Sequence, residues 1–206
     1  MQMGFYFDQT RCTGCFTCIV ACKDWNDVEA GPASWRRVTT IEKGKYPALF
    51  VTFLSATCNH CLEPACVSAC PVSAISKREM DGVVVVARDV CLGKDNCDMC
   101  LQVCPYDAPQ FGAEENARMQ KCNFCLDRLA EGKKPICVDA CPMRAMDAGP
   151  IEELRAKYSN IREAEGFVYS ETLIPSVIFK PKKGAEGLAL QKIEIAPGSL
   201  TRMLRV

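Results

Sequence analysis

Sixteen cysteines fall into four groups of four along a chain of 206 residues, so the chemistry to expect is that of thiolates. The groups are Cys12, Cys15, Cys18 and Cys22; Cys58, Cys61, Cys66 and Cys70; Cys91, Cys97, Cys100 and Cys104; and Cys122, Cys125, Cys137 and Cys141. Each ends in a C-x3-C step, and proline follows the last cysteine in three of them, at Pro71, Pro105 and Pro142. Lys23 takes that place in the first group. Three thiolates in a tight loop can wrap one face of an iron–sulfide cubane. The last cysteine of each group, about one helical turn further on, points away from that loop. At four ligands per cubane, sixteen cysteines imply four [4Fe–4S] clusters and electron-carrying chemistry.

Two other uses of cysteine fit less well. A disulfide framework belongs to secreted chains, and no secretory signal is recognisable ahead of the first group. Zinc favours two separated C-x2-C pairs over three close cysteines followed by C-x3-C-P. His60 is the single histidine, which nearly removes mixed Cys/His ligation. The first group is C-x2-C-x2-C-x3-C, the run of bacterial two-cluster ferredoxins, where the fourth cysteine ligates the other cluster.

Twenty-five basic and twenty-five acidic residues give no net charge, so there is no basic excess to attract nucleic acid. The longest apolar stretches, Ala48 to Ala56 and Val83 to Ala87, fall far short of the roughly 20 residues of a spanning helix, and no direct membrane span is expected. Arg36-Arg37 lies too deep in the chain for an export signal and reads as surface charge on a strand. The sequence shows no phosphate loop, Ser/His/Asp set or paired catalytic carboxylates. Catalysis is therefore expected on another chain.

The elements that must position the thiols are short. Gly4 to Asp8 reads as a strand leading into group one, where Gly14 relieves crowding as amides approach the sulfurs. Trp35 to Ile41 and Ala48 to Phe53 read as strands around a turn at Lys43 to Pro47. Ala74 to Arg78 and Val83 to Val86 form a hairpin about Asp81-Gly82 that joins groups two and three. Pro150, then acids, then bases mark a helix ending near Tyr158. The expected fold is α+β, with two ferredoxin-like two-cluster modules and an extended C-terminal segment. Residues 1–47 with 116–165 make the outer module and 48–115 the inner one. Residues 166–206, weak in core pattern, are expected to dock on a partner.

Several polar and aromatic residues have bland expectations. His60 supports its neighbouring ligands or faces solvent rather than relaying protons. Trp25, Trp35 and Tyr106 pack beside clusters or a partner rather than serving as hopping stations. Lys77, Arg78, Lys121, Arg128, Lys133 and Lys134 offset cluster charge or meet an acidic partner, with at least half simply solvated.

The frame as a whole resembles the iron–sulfur electron-transfer subunits of the dimethyl sulfoxide reductase family of molybdopterin oxidoreductases. The likeness is carried by RCTGC-x2-C-x3-CKD from Arg11, CNHC-x2-PAC from Cys58, CPYDAPQF from Cys104, KC-x2-C-x2-R-x3-GKKP-x-C from Lys121, and the GPIEELR helix. It implies ligand sets that exchange last cysteines between groups: Cys12, Cys15, Cys18 and Cys141 for cluster 1; Cys58, Cys61, Cys66 and Cys104 for cluster 2; Cys91, Cys97, Cys100 and Cys70 for cluster 3; Cys122, Cys125, Cys137 and Cys22 for cluster 4. It further implies a molybdopterin-containing catalytic subunit beside cluster 1 and a quinone-reactive membrane anchor subunit at the far end. The protein would then be membrane-associated through partners, on the periplasmic face by co-export or on the cytoplasmic face. A cytoplasmic polyferredoxin-type carrier serving a formate dehydrogenase or hydrogenase is the alternative. One departure is the five residues between Cys91 and Cys97, where the family usually has two.

Overall fold

The computed structural model describes residues 1–195. The chain opens with β1 (Met3–Asp8), whose six residues are all buried, and passes through the first cysteine loop into α1 (Thr17–Trp25). β2 (Arg37–Lys45) and β3 (Ala48–Ala56) follow as an antiparallel hairpin, with Arg37 opposite Ala56 and Lys45 opposite Ala48. α2 (Ala65–Ser68), β4 (Ile75–Lys77), β5 (Val84–Val86) and α3 (Met99–Val103) carry the middle groups. Then come α4 (Leu126–Ala130), α5 (Ile136–Asp139), β6 (Met146–Pro150), α6 (Ile151–Tyr158), β7 (Val177–Lys180) and β8 (Leu190–Ile195).

Three small sheets result, ordered β6-β1-β7, β3-β2-β8 and β4-β5. β1 is central in the first, antiparallel to β6 and parallel to β7, which explains why both of its faces are apolar and covered. The β4–β5 hairpin turns at Asp81-Gly82 as the sequence predicts. Gly82 sits at φ +69°, and the Asp81 carboxylate accepts the Val83 amide at 3.0 Å. α6 buries Ile151 and Leu154 against the first sheet and keeps its acids in the first turn and its bases in the last. Tyr158 at its end stacks on Tyr6, ring centres 3.8 Å apart.

Each C-x3-C step is a helical turn. α1 contains Cys18 and Cys22. Cys66, Cys100 and Cys137 lie in α2, α3 and α5, with their partners Cys70, Cys104 and Cys141 at or just past the helix ends. Helices of four or five residues are too short to persist alone, so neighbours must hold them. α1 packs on α5 and α2 on α3, bringing group one to group four and group two to group three. The main core is built around thiols: Cys18, Cys58, Cys122, Cys137 and Cys141 lie among Phe5, Phe7, Phe124 and Phe179.

The C-terminal segment corrects the expectation of a tail that buries little. Phe167 stacks on Tyr106 (centres 5.2 Å apart), and β7 pairs with β1 from Phe5 opposite Val177 to Asp8 opposite Lys180. Ile178 and Phe179 are almost fully buried, so these residues complete the first sheet. β8 adds a strand to the second sheet. A single Pro175-interrupted apolar run gives no period that distinguishes a core strand from a docking segment, and only the β1 edge decides the matter. The expectation for residues 196–206 lies outside the described residues. Among the described residues, no helix is long and apolar enough to cross a membrane.

Candidate metal centre

The thiols assemble into four neighbourhoods. One cavity is lined by Cys12, Cys15, Cys18 and Cys141 and by no other cysteine. Another is lined by Cys70, Cys91, Cys97 and Cys100, so Cys91 lies with its expected companions despite the five-residue insertion. Burial, and then the proximity of Cys122, Cys137 and Cys125, pushes the Cys22 thiol up. Cys61 is likewise raised by burial and by Cys58, Cys104 and Cys66. Cys12, pushed up to about 11, feels burial and then Cys18, Cys141 and Cys15, while the Gly14 amide opposes the shift by donating to its sulfur. Cys100 is pushed up to about 12 by burial and by Cys91, Cys97 and Cys70. In every neighbourhood the last cysteine has come from another group.

The neighbourhoods adjoin in one order. The charge of Cys18 acts on Cys137, that of Cys58 on Cys122, and that of Cys100 on Cys66. The line therefore runs from the Cys12 set through the Cys122 set and the Cys58 set to the Cys91 set. Burial pushes the thiols of Cys12, Cys22, Cys61, Cys66, Cys100 and Cys104 up, and a multivalent cation is what pulls such groups into the thiolate form. Among the described residues, no three His, Cys, Asp or Glu side chains close on a point fit for a single ion. The two cysteine-lined cavities instead each gather four thiols around one space, which suits a polynuclear cluster.

Backbone amides aimed at sulfur complete the fit. The three proline-bearing groups share a turn, C-P-x-x-A, read from CPVSA, CPYDA and CPMRA. Its fourth residue is left-handed each time, at Ser73 (φ +53°), Asp107 (φ +47°) and Arg144 (φ +50°). That conformation turns the following alanine amide onto the cysteine: Ala74 donates to Cys70 Sγ at 3.2 Å and Ala145 to Cys141 Sγ at 3.4 Å, while the Ala108 amide lowers Cys104 against its burial. Group one lacks the proline, and α1 runs on to Trp25. There the Asn26 side chain substitutes, donating weakly to Cys22 Sγ at 3.9 Å and also lowering Cys125. The repeated C-P-x-x-A was present in the sequence as a signal for these amides.

Two charged side chains correct the sequence reading. Arg36 and Arg37 are each only 3% exposed rather than surface residues on a strand. Arg37 donates to the Tyr106 carbonyl at 2.6 Å and feels Asp107, Cys104 and Cys58. Arg36 lies beside Cys137, Cys18, Cys122 and Cys22. Lys121 is also buried, donating to the carbonyls of Val84 and Cys122, and its charge favours the thiolate of Cys66. Nothing in the sequence separated these cations from solvated ones such as Lys133.

The remaining candidates have packing roles. His60 is fully buried; its Nδ1 accepts the Val84 amide at 3.0 Å, and burial and Lys121 hold its affinity for a proton well below the usual range. Trp35 donates to Gln120 at 3.0 Å. Trp25 donates to Asp127 at 2.6 Å beneath the Arg128 guanidinium. Tyr106 is buried and accepts the Ser170 amide at 3.1 Å. Lys77 caps the carbonyls of Cys61 and Leu62, Arg78 pairs with Asp81, and Lys134 pairs with Asp147.

Residues 49–151 match the 4Fe-4S dicluster domain family. The protein is 45% identical over 188 residues to the iron–sulfur subunit of the anaerobic dimethyl sulfoxide reductase of Escherichia coli, covering 87% of this sequence and 89% of that one. It belongs to the iron–sulfur subunits of the dimethyl sulfoxide reductase family. The corresponding subunit of the anaerobic dimethyl sulfoxide reductase of Haemophilus influenzae is 42% identical over 193 residues (89% and 91% of the two sequences). A subunit of the sulfite dehydrogenase of Allochromatium vinosum is 33% identical over 223 residues (98% and 90%). As a member of this family the protein is an electron-transfer subunit, and its fold is that of a ferredoxin-like dicluster domain mixing helix and strand.

Proposed function

We propose that the protein binds four [4Fe–4S] clusters and serves as the non-catalytic wire between a molybdopterin-containing catalytic subunit and a quinone-reactive membrane anchor subunit. Cluster 1 is held by Cys12, Cys15, Cys18 and Cys141, cluster 4 by Cys122, Cys125, Cys137 and Cys22, cluster 2 by Cys58, Cys61, Cys66 and Cys104, and cluster 3 by Cys91, Cys97, Cys100 and Cys70. When bound, the clusters supply one-electron redox centres. The observation that carries the reading is the exchange of last cysteines, which lines one cavity with Cys141 beside group one and another with Cys70 beside group three. Clusters 1 and 4 form one two-cluster module, and clusters 2 and 3 the other.

The protein's own contribution is to hold the thiols, donate amides to them and exclude water. Amide–sulfur bonds and burial set the potential of a cluster by stabilising or destabilising its added negative charge. The two ends of the line carry exposed apolar side chains suited to docking. Phe16, Val20 and Met143 flank the cluster 1 cavity and its helix, while Leu92, Val90 and Met99 flank that of cluster 3. The first face fits the catalytic subunit and the second the anchor, and through the anchor the protein reaches the membrane.

Anaerobically purified protein is expected to hold about sixteen irons and little zinc. Cys141→Ser and Cys12→Ser are expected to disturb the same paramagnetic signal. About twelve irons, or a [3Fe–4S] signal in undamaged protein, would overturn the assignment of cluster 3, and separate signals for the Cys141 and Cys12 variants would overturn the exchange.

A further inference from the structure

Arg36 combines three features that a structural arginine rarely has together. It is buried, it forms no ion pair with a carboxylate among the described residues, and its Nη2 lies buried without a protein partner. The guanidinium carbon sits 5.0 Å from the centre of the Phe5 ring. Nη1 donates to Ser55 Oγ at 3.0 Å and approaches Met146 Sδ at 3.5 Å. Ser55 Oγ in turn lies 3.6 Å from Cys18 Sγ. On its other side the Arg36 charge lowers the Cys137 thiol against its burial. Arg36 thus reaches one thiol of cluster 1 through Ser55 and acts by its charge on one of cluster 4. A guanidinium in so apolar a setting needs a counter-charge, and the groups whose negative charge would favour it are Cys137, Cys18, Cys122 and Cys22.

We propose that Arg36 is a fixed positive charge bridging clusters 1 and 4 and raising the midpoint potentials of both. Its unpartnered Nη2 is the donor left for a sulfur of a loaded cluster. Because arginine keeps its proton throughout, an electron moves between the two centres without a proton accompanying it. A nearby cation stabilises whichever cluster holds the extra electron, so it lifts both levels. This inference rests on the ligand reading above. Arg36 acts through the clusters' surroundings and is a positioning residue.

The test is potentiometric titration, followed by electron paramagnetic resonance, of the assembled complex carrying Arg36→Met or Arg36→Lys. With iron content unchanged, Arg36→Met is expected to cut the reduced-to-oxidised ratio of clusters 1 and 4 about tenfold at the wild-type midpoint. That corresponds to about 59 mV for a one-electron couple. Clusters 2 and 3 are expected to stay put, and Arg36→Lys, which keeps the charge, to shift much less. If Arg36→Met fails to load iron, Ser55→Ala removes the anchor and leaves the cation, and a smaller shift confined to the same two clusters is expected. Cys18→Ser and Cys137→Ser identify the two signals independently. Unshifted potentials at those signals, or an equal shift at all four clusters, overturn the proposal alone. A shift confined to two signals that the cysteine replacements leave untouched overturns the ligand reading with it.

Discussion

The thiol sets proposed for clusters 4 and 3 have the same donors and opposite settings. Cys22, Cys122, Cys125 and Cys137 are all buried, whereas of Cys70, Cys91, Cys97 and Cys100 only the last is. The first set sits where α1 and α5 pack beneath a three-stranded sheet, beside Phe124, which is completely buried. The second rests on the two-stranded β4–β5 hairpin and a small apolar cluster around Met119 and Phe111. The difference teaches that identical ligation need not give identical centres. Where water is excluded, a single cation such as Arg36 acts strongly; where solvent reaches the sulfurs, it screens such effects.

The largest expected effect pits the two sets directly against each other. Cys22→Ser leaves a hydroxyl where burial is deep, whereas Cys70→Ser leaves one that water can reach. Cys22→Ser is expected to lose about eight irons, because cluster 1 shares α1 with the damaged site, and Cys70→Ser only about four. Chelator challenge of the wild-type protein should strip cluster 3 before cluster 4. Equal iron losses, or cluster 4 vanishing first, would break the comparison.

A second effect tests whether the C-terminal segment supports the buried half. Phe179 is 2% exposed and packs on Phe167 in the main core. Phe179→Ala is expected to cost about 3–5 kcal/mol in thermal or denaturant unfolding and to make clusters 1 and 4 more accessible to chelator than clusters 2 and 3. A variant of wild-type stability would return this segment to the role of a partner-docking tail.

The smallest effect concerns a polar brace on the buried half. Burial raises the Asp147 carboxyl, but Lys134, Tyr158 (2.7 Å) and Lys157 (3.0 Å) outweigh it and bring it down to about 2. Asp147→Asn is expected to lower stability at neutral pH by roughly 1 kcal/mol, since the lysines remain partly screened by solvent. Iron content should hold at all four sites. Loss of iron at clusters 1 and 4 would sharpen the contrast by making the brace part of the cluster setting.

Much of this was legible in the residues. The cysteine spacing alone gave the helical C-x3-C steps, and Asp81-Gly82 gave the hairpin between groups two and three. Pro150 with its following acids and bases gave α6. These are local signals, each contained within a few residues. What was missed depended on distant neighbours. Arg36 and Arg37 look like any pair of surface cations, because burial of charge has no sequence period and is tolerated only where counter-charges assemble from elsewhere. Phe167 to Phe179 lacked an identity until β1 offered it an edge.

The sequence by itself determined the chemistry of this protein: sixteen thiols at ligand spacing, the turns that aim them, and the resemblance that names their use. Tertiary structure alone decided how the four thiol neighbourhoods line up, which of them lie deep, and which cations lie among them. The reason is physical. A loop of a few residues fixes its own backbone geometry, but dielectric, solvent access and counter-charge belong to the space between elements, and that space exists only once α1 meets α5 and β7 closes on β1.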